Sequence, residues 1–270
     1  MSLRIGLRRD RSIAIGGIVA LLVLAAAAPA AAQNPPAEGF DAAGSDPEAI
    51  AIADEVVEAM GGRPAWDATR YLSWNFFGMR THVWDRWTGD LRYEVGDTLV
   101  LANVDTKEGR AFEGGVEVED PEELAKLLDQ TYKAWINDSY WLLMPYKLKD
   151  SGVTLEYTGE GTMADGRPAD KLQLTFEGVG VTPDNKYDVY VSKDRRLVEQ
   201  WSFYTRYDDP EPRFTTPWAN WTQHGDVLLS GDRGERQLTD IRVFDELPRS
   251  VFESPEPVDL ASLPTATAGD

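Results

Sequence analysis

From Arg70 onward the apolar residues change period from 3.6 to 2, and the new period recurs in short runs along most of the chain. Leu72, Trp74 and Phe76 alternate with Ser73 and Asn75. His82 and Trp84 alternate with Thr81 and Val83, and Leu91, Tyr93 and Val95 with Arg92 and Glu94. A period of two sends successive side chains to opposite faces of a strand. Runs this short, broken by turn residues such as Thr88-Gly89-Asp90, Asp165-Gly166 and Asp184-Asn185, mark a meandering antiparallel sheet. Thr98–Val104 is more continuously apolar, and Arg110–Val118 reads as a more exposed hairpin. The pattern resumes at Val153–Tyr157, Lys171–Phe176, Tyr187–Val191, Leu197–Tyr204, Val227–Leu229 and Gln237–Phe244. About ten or eleven strands are therefore expected, in a mainly β (α+β) fold.

Two helices interrupt the alternation. Asp46 stands at an N-cap position with Pro47 and Glu48 after it; Ile50, Ala53, Val57 and Met60 keep helical spacing, and Gly61-Gly62 ends the run. Asp120, Pro121 and Glu123 start a second helix, whose apolar stripe is Leu124, Leu127, Leu128, Tyr132 and Trp135. Tyr140–Asp150 is strongly apolar, and Pro145 predicts a tucked-in loop there rather than a helix.

The ends of the chain carry different information. Arg4, Arg8, Arg9 and Arg11 precede an uncharged stretch, Ile13–Ala28, and Ala30-Ala31-Ala32 follow it. A basic start, an apolar run of about 16 residues and a small-residue site predict a secretory signal over 1–32 that is cleaved, because the run is short of the roughly 20 needed to span a bilayer. Export to the periplasm is expected, with no membrane anchor left after cleavage. Residues 33–45, rich in Pro, Ala and Gly, predict a flexible leader; residues 46–255 form a single domain, and 256–270 a disordered tail. No cysteine occurs, so neither disulfides nor a lipid-bearing thiol can stabilise or anchor the chain.

The net charge of −19 disfavours nucleic acid and anionic lipid surfaces as primary partners. Eight lysines stand against 46 acids, a composition suited to a halophile. At 1 M salt a Debye length of roughly 3 Å screens the self-repulsion.

A search for catalytic chemistry is negative. His82 and His224 are the only histidines, and no G-x-S-x-G, S-x-x-K, H-E-x-x-H, P-loop or G-x-G-x-x-G pattern is present. Asp208, Asp209 and Glu211 read as a solvated loop in so acidic a chain. The expectation is a protein that is not an enzyme, with no metal and no cofactor.

Several motifs together resemble the LolA/LolB-like superfamily, the outer-membrane lipoprotein-sorting proteins and their uncharacterised branch. They are Met60-Gly61-Gly62 with Trp66, Tyr140-Trp141-Leu142-Leu143-Met144-Pro145 leading to Leu148-Lys149-Asp150-Ser151-Gly152, Tyr187-Asp188-Val189-Tyr190-Val191, and Leu247-Pro248 with Val251-Phe252 and Pro255. The resemblance spans most of 46–255. It implies a curved antiparallel sheet forming an incomplete β-barrel, with one or two helices as a lid and an apolar concave face. It also implies a lipid, acyl chain or lipoprotein as ligand. The Arg206–Trp221 insertion and the acidic surface depart from the carriers of that family.

Candidate lining residues are Leu72, Trp74, Phe76, Tyr93, Leu101, Leu155, Leu174, Val189, Trp201 and Phe203, with Leu128, Tyr132 and Trp135 from the lid. The same alternation suits a filled core, so the pattern alone leaves both open. A second reading is a structural or regulatory envelope protein that binds a partner protein. It would use Trp201, Phe203, Tyr204, Tyr207, Phe214, Trp218 and Trp221 as an aromatic patch, although these rings can equally anchor a long loop onto the sheet.

Overall fold

Two antiparallel sheets and one long helix organise the computed structural model, which describes residues 34–179 and 184–269. The signal-like segment 1–32 lies outside the described residues. The larger sheet runs in the order β12-β13-β14-β1-β2-β3-β4-β5-β6 and the smaller in the order β11-β10-β9-β8-β7. In the first half of the chain the strands are β1 (Tyr71–Phe76), β2 (Arg80–Asp85), β3 (Asp90–Val95), β4 (Thr98–Asn103), β5 (Gly109–Glu113), β6 (Val116–Glu117) and β7 (Val153–Thr162). The second half supplies β8 (Pro168–Phe176), β9 (Lys186–Ser192), β10 (Val198–Tyr204), β11 (Phe214–Pro217), β12 (Ala219–His224), β13 (Val227–Arg233) and β14 (Arg236–Phe244). These are 14 strands among the described residues, against ten or eleven expected, because short strands such as β6 and β11 carry too few residues to show a period. β14 returns to pair with β1, so the last hairpin extends the meander from its first strand. Neither sheet closes on itself, and the result is a curved, open half-barrel.

Register shows how alternation becomes a core. Leu72 faces Trp84, and Trp74 faces His82, which in turn faces Tyr93. In the smaller sheet Leu155, Leu174, Tyr187, Phe203 and Phe214 form one row, and Tyr157, Leu172, Val189, Trp201 and Thr216 the next. These rows turn inward and share one buried cluster with α1 (Pro47–Ala59). The opposite face of β1 is covered as well: Tyr71, Val83 and Phe244 pack against Leu247, Val251 and Phe252.

Helix α1 ends at Ala59; Gly61, whose φ of 111° an L side chain rarely adopts, turns the chain into the short α2 (Gly62–Ala68). The Asp46 carboxylate makes no cap to α1; it accepts the Tyr157 N–H of β7 at 2.9 Å. At α3 (Pro121–Leu143) the Asp120 side chain does cap, accepting from the Glu122 and Glu123 N–H groups. The loop expected over Tyr140–Asp150 begins later than anticipated. α3 continues through Leu143, and Met144–Lys147 form a 3₁₀ turn. Pro145 lies in the first residues of that turn, where its missing N–H costs nothing.

Both ends of the described chain, where composition predicts a flexible leader and a disordered tail, make contacts with the sheets. Residues 34–45 run as a strap beside β7: Asp41 N–H donates to Val153 and Asp46 N–H to Leu155, while Leu155 N–H donates to Ser45 Oγ. At the other end, α4 (Ser250–Glu253) leads into a tail whose Val258, Leu260 and Leu263 pack on the outer face of the larger sheet.

A Cβ on Gly61 would stand 2.2 Å from the Asp226 carbonyl oxygen, on a backbone already at positive φ. Gly61→Ala is expected to cost about 2–3 kcal/mol, measured as a lowered urea midpoint with an unchanged slope. An unaltered midpoint would show that the α1 end is not held against the β12–β13 turn.

Candidate functional site

The Asp138 carboxylate, fully buried on α3, is the polar centre of the half-barrel. Arg80 grips it through Nε and Nη2, each at 2.8 Å, and His82 Nε2 meets it at 2.8 Å. Asn137 Nδ2 donates to its other oxygen at 2.9 Å. An ionised carboxylate only accepts, so the imidazole carries its proton on Nε2, leaving Nδ1 buried without a partner among the described residues. Trp74 stacks on the imidazole at 4.5 Å between ring centres, and Tyr93 lies at 5.1 Å. Burial pushes the His82 pKa down, against the opposing pull of Asp138. Nothing local in the sequence marks His82 for this role; only the approach of α3 brings a carboxylate to it.

Around this centre α3 fills the concavity. Its first half packs Leu124, Leu127, Leu128, Tyr132 and Trp135 against Leu91, Tyr93, Val100 and Ala111. Its last turn drives aromatic rings between the sheets. Tyr140 lies 5.4 Å from Tyr187, and Trp141 lies 5.0 Å from Trp201 and 5.2 Å from Phe77. Arg233 on β13 fixes that end by donating from Nη2 to the Trp141 carbonyl at 2.7 Å.

The candidate residues therefore divide. Leu72, Trp74, Phe76, Tyr93, Leu155, Leu174, Val189 and Trp201 are buried on the inward face, where they touch α3 or one another. Phe203 and Trp135 are half-buried beside them. Leu101 faces the other way, since its register partners are Arg92 and Arg110 rather than Tyr93 and Ala111. The apolar continuity of Thr98–Val104 concealed which of its residues turn inward.

Two hollows flank α3. The larger, about 550 Å³, is a half-open groove lined by Leu128, Tyr132 and Ile136 at successive helical turns, by Ala125, Asp129 and Lys133 beside them, and by Lys107 from the β4–β5 turn. The Lys107 ammonium lies 4.1 Å from the centre of the Tyr132 ring, and Lys133 pairs with Asp129 at 2.6 Å. The smaller hollow, about 230 Å³, lies among the strap, α1, α2 and the 3₁₀ turn after α3, lined in part by Trp66, Arg86, Tyr146 and Lys149. Of the sequence candidates, Leu128 and Tyr132 alone line either of these hollows.

Among solved structures, the chain is similar to a DUF1329 family protein from Desulfovibrio piger, at 14% identity and a TM-score of 0.41, over 78% of this chain and 98% of that one. It is similar to a LolA superfamily protein from Nitrosomonas europaea, at 10% identity and a TM-score of 0.34, over 76% and 96% of the two chains. MucB in complex with MucA(peri) is similar at 15% identity and a TM-score of 0.23, over 71% of this chain and 62% of that chain. No family model and no curated protein matches the sequence. The open, curved antiparallel architecture described above is the one that the LolA/LolB-like resemblance implied.

Because His82 is neutral when folded and free to protonate when unfolded, its contribution is complete above the unfolded pKa near 6.5 and is lost as pH falls below it. Between pH 7.5 and 5.5 the wild type is expected to lose up to about 1.4 kcal/mol more than His82→Gln, which keeps an N–H for Asp138. Urea melts of both proteins at the two pH values check this. Equal losses would mean that the imidazole is protonated inside the fold.

Proposed function

We propose that this is an exported binding protein for an apolar ligand, a lipid or acyl chain, which it holds against α3 at the rim of the half-barrel. The observation that carries this is the groove of Leu128, Tyr132 and Ile136, whose volume of about 550 Å³ falls within the range of small-molecule sites. Its floor is apolar, and Lys107 and Lys133 stand beside it, so a chain can lie along the helix with a polar end near the lysines. Each methylene removed from water contributes roughly 0.8 kcal/mol, enough for a chain of moderate length to bind without a charged clamp. The site is shifted from the expected one: the concave face itself is filled by the aromatic turn of α3, and the ligand meets the flank of the lid.

Binding rather than catalysis is also favoured by the buried polar groups. Arg80, His82 and Asp138 are committed to one another and line neither hollow. Export rests on the basic, apolar and small-residue segments of 1–32. The partner-protein alternative loses its surface. Trp201, Tyr204 and Trp218 are buried, Phe203, Phe214 and Trp221 are half-buried, and Tyr207 alone of that group stands out, 62% exposed.

Mature protein purified in high salt without detergent is expected to carry a stoichiometric apolar adduct in native mass spectrometry, or to take up an added fatty acid. Replacing Leu128 and Ile136 together by Ser should weaken fatty-acid binding about tenfold, or about 1.4 kcal/mol, with the fold retained by circular dichroism. A clean apo mass together with no uptake of added lipid would sink the proposal.

A further inference from the structure

Carboxylates answer most arginines of this acidic chain: Asp85 for Arg70, Asp138 for Arg80, Glu94 for Arg92, Glu55 and Asp170 for Arg196. Two largely buried guanidinium groups have no carboxylate at ion-pair distance among the described residues, Arg86 and Arg233. Each lies flat against a tryptophan, at 3.6 Å from the Trp66 ring centre and 3.4 Å from that of Trp218. Their remaining bonds differ. Arg233 spends both Nη atoms, on the Ser230 hydroxyl, the carbonyls of Asp232 and Ser230, and the Trp141 carbonyl that ends α3. Its Nε–H, like that of Arg86, has no acceptor among the described residues, but both of its Nη atoms are spent on the fold. Arg86 spends Nη1 alone, on the Trp66 and Thr69 carbonyls at the end of α2, and its buried Nε–H has no acceptor among the described residues. Burial lowers its pKa to about 10, so it remains charged at neutral pH.

Arg86 lines the hollow of about 230 Å³, and the other charges there sharpen the contrast. Arg63, Lys147 and Lys149 also line it, each paired with its own carboxylate, on Asp67, Asp150 and Asp54 respectively. Four cations and one carboxylate, Asp150, thus line one small cavity in a protein of net charge −19, and Arg86 alone of the cations has no carboxylate at ion-pair distance among the described residues, Asp67 acting on it only from further off. Between them stand aromatic rings, Trp66 and Tyr146 stacked at 4.1 Å and Trp84, beside aliphatic side chains of α1 and α3 and the strap residues Asn34, Pro35 and Ala37. A guanidinium with free N–H donors is suited to oxygen anions, and flat aromatic walls to an apolar body of about one ring.

We infer that this cavity is an oxyanion site, taking a carboxylate or phosphate borne on a small apolar or aromatic group, with Arg86 as its principal donor. The site is distinct from the α3 groove and goes beyond the acyl-chain proposal. The anion can arrive as a free small molecule or as the headgroup of a lipid, and the experiment separates the two.

Isothermal titration of the mature protein with phenyl phosphate, benzoate and monomeric dihexanoyl phosphatidic acid, each against sodium chloride at matched ionic strength, tests the inference. Binding is expected, weakened at least tenfold in Arg86→Gln, two- to threefold in Arg63→Gln, and unchanged by the Leu128/Ile136 double variant. Affinity for the ring compounds supports a free-anion ligand; affinity for the phosphatidic acid alone supports a headgroup. Should Arg86→Gln not fold, NOEs from phenyl protons to the Trp66 and Tyr146 rings of the wild type decide the matter. No binding beyond chloride, undiminished affinity in folded Arg86→Gln, or the absence of those NOEs overturns it.

Discussion

One buried carboxylate decides how this half-barrel is closed. Asp138 stands at zero exposure in an apolar interior, where an unpaired charge costs several kcal/mol. It is tolerated because Arg80, His82 and Asn137 supply four hydrogen bonds to its two oxygens. Two of those donors, Arg80 and His82, belong to β2, so their three hydrogen bonds fix α3 against the sheet in rotation and along its axis. Once that position is set, Trp141 and Tyr140 fall between the sheets, and Arg233 can reach the Trp141 carbonyl. A purely apolar helix of the same shape could slide; this one has a register.

The same clamp explains why the hollows lie beside the helix rather than beneath it. An open half-barrel with a bare concave face would expose Leu72, Trp74, Leu174, Val189 and Trp201 to water, and each such side chain buried contributes about 1.5–3 kcal/mol. α3 covers them, and the two hollows beside it lie where the helix meets the rim of the sheet and the end of the strap. A ligand that displaced α3 would have to break the Asp138 cluster and the Arg233 tie together. A ligand that uses the flank of α3 breaks neither, which favours the groove of Leu128, Tyr132 and Ile136 over the concave face.

The sequence showed the inward rows because period-two alternation is a local property, visible in Leu72-Trp74-Phe76 without knowledge of any partner. It placed Leu101 on the wrong face because a run such as Thr98–Val104 is apolar at both parities, and only its pairing with Arg92 and Arg110 settles the direction. Asp138 and His82, 56 positions apart, carried no local signal; in a chain with 46 acids one more Asp on a helix is indistinguishable from a solvated one. Arg86 was silent for the matching reason, since being without a carboxylate is visible only when every neighbour is in place. Composition says nothing of where residues 34–45 lie, because Pro, Ala and Gly describe what the segment lacks, whereas its contacts come from backbone donors answered by Lys149, Val153 and Leu155.

That strap joins two requirements that look separate. β7 is the edge of the smaller sheet, and an uncovered edge is a template for pairing with other chains. Residues 37–46 cover it with backbone hydrogen bonds, so the strap has a protective role independent of any ligand. Its first described residue, Asn34, then continues to the buried Lys149–Asp54 pair: Asn34 Nδ2 donates to Asp54 at 2.9 Å, and Lys149 donates to the Asn34 carbonyl. Asn34, Pro35 and Ala37 thereby become one wall of the cationic cavity. The cavity therefore exists only when the edge is covered, and a ligand held there stabilises the covered edge by mass action. Binding chemistry and protection against aggregation are in this way coupled through a few residues, Asn34 to Asp46.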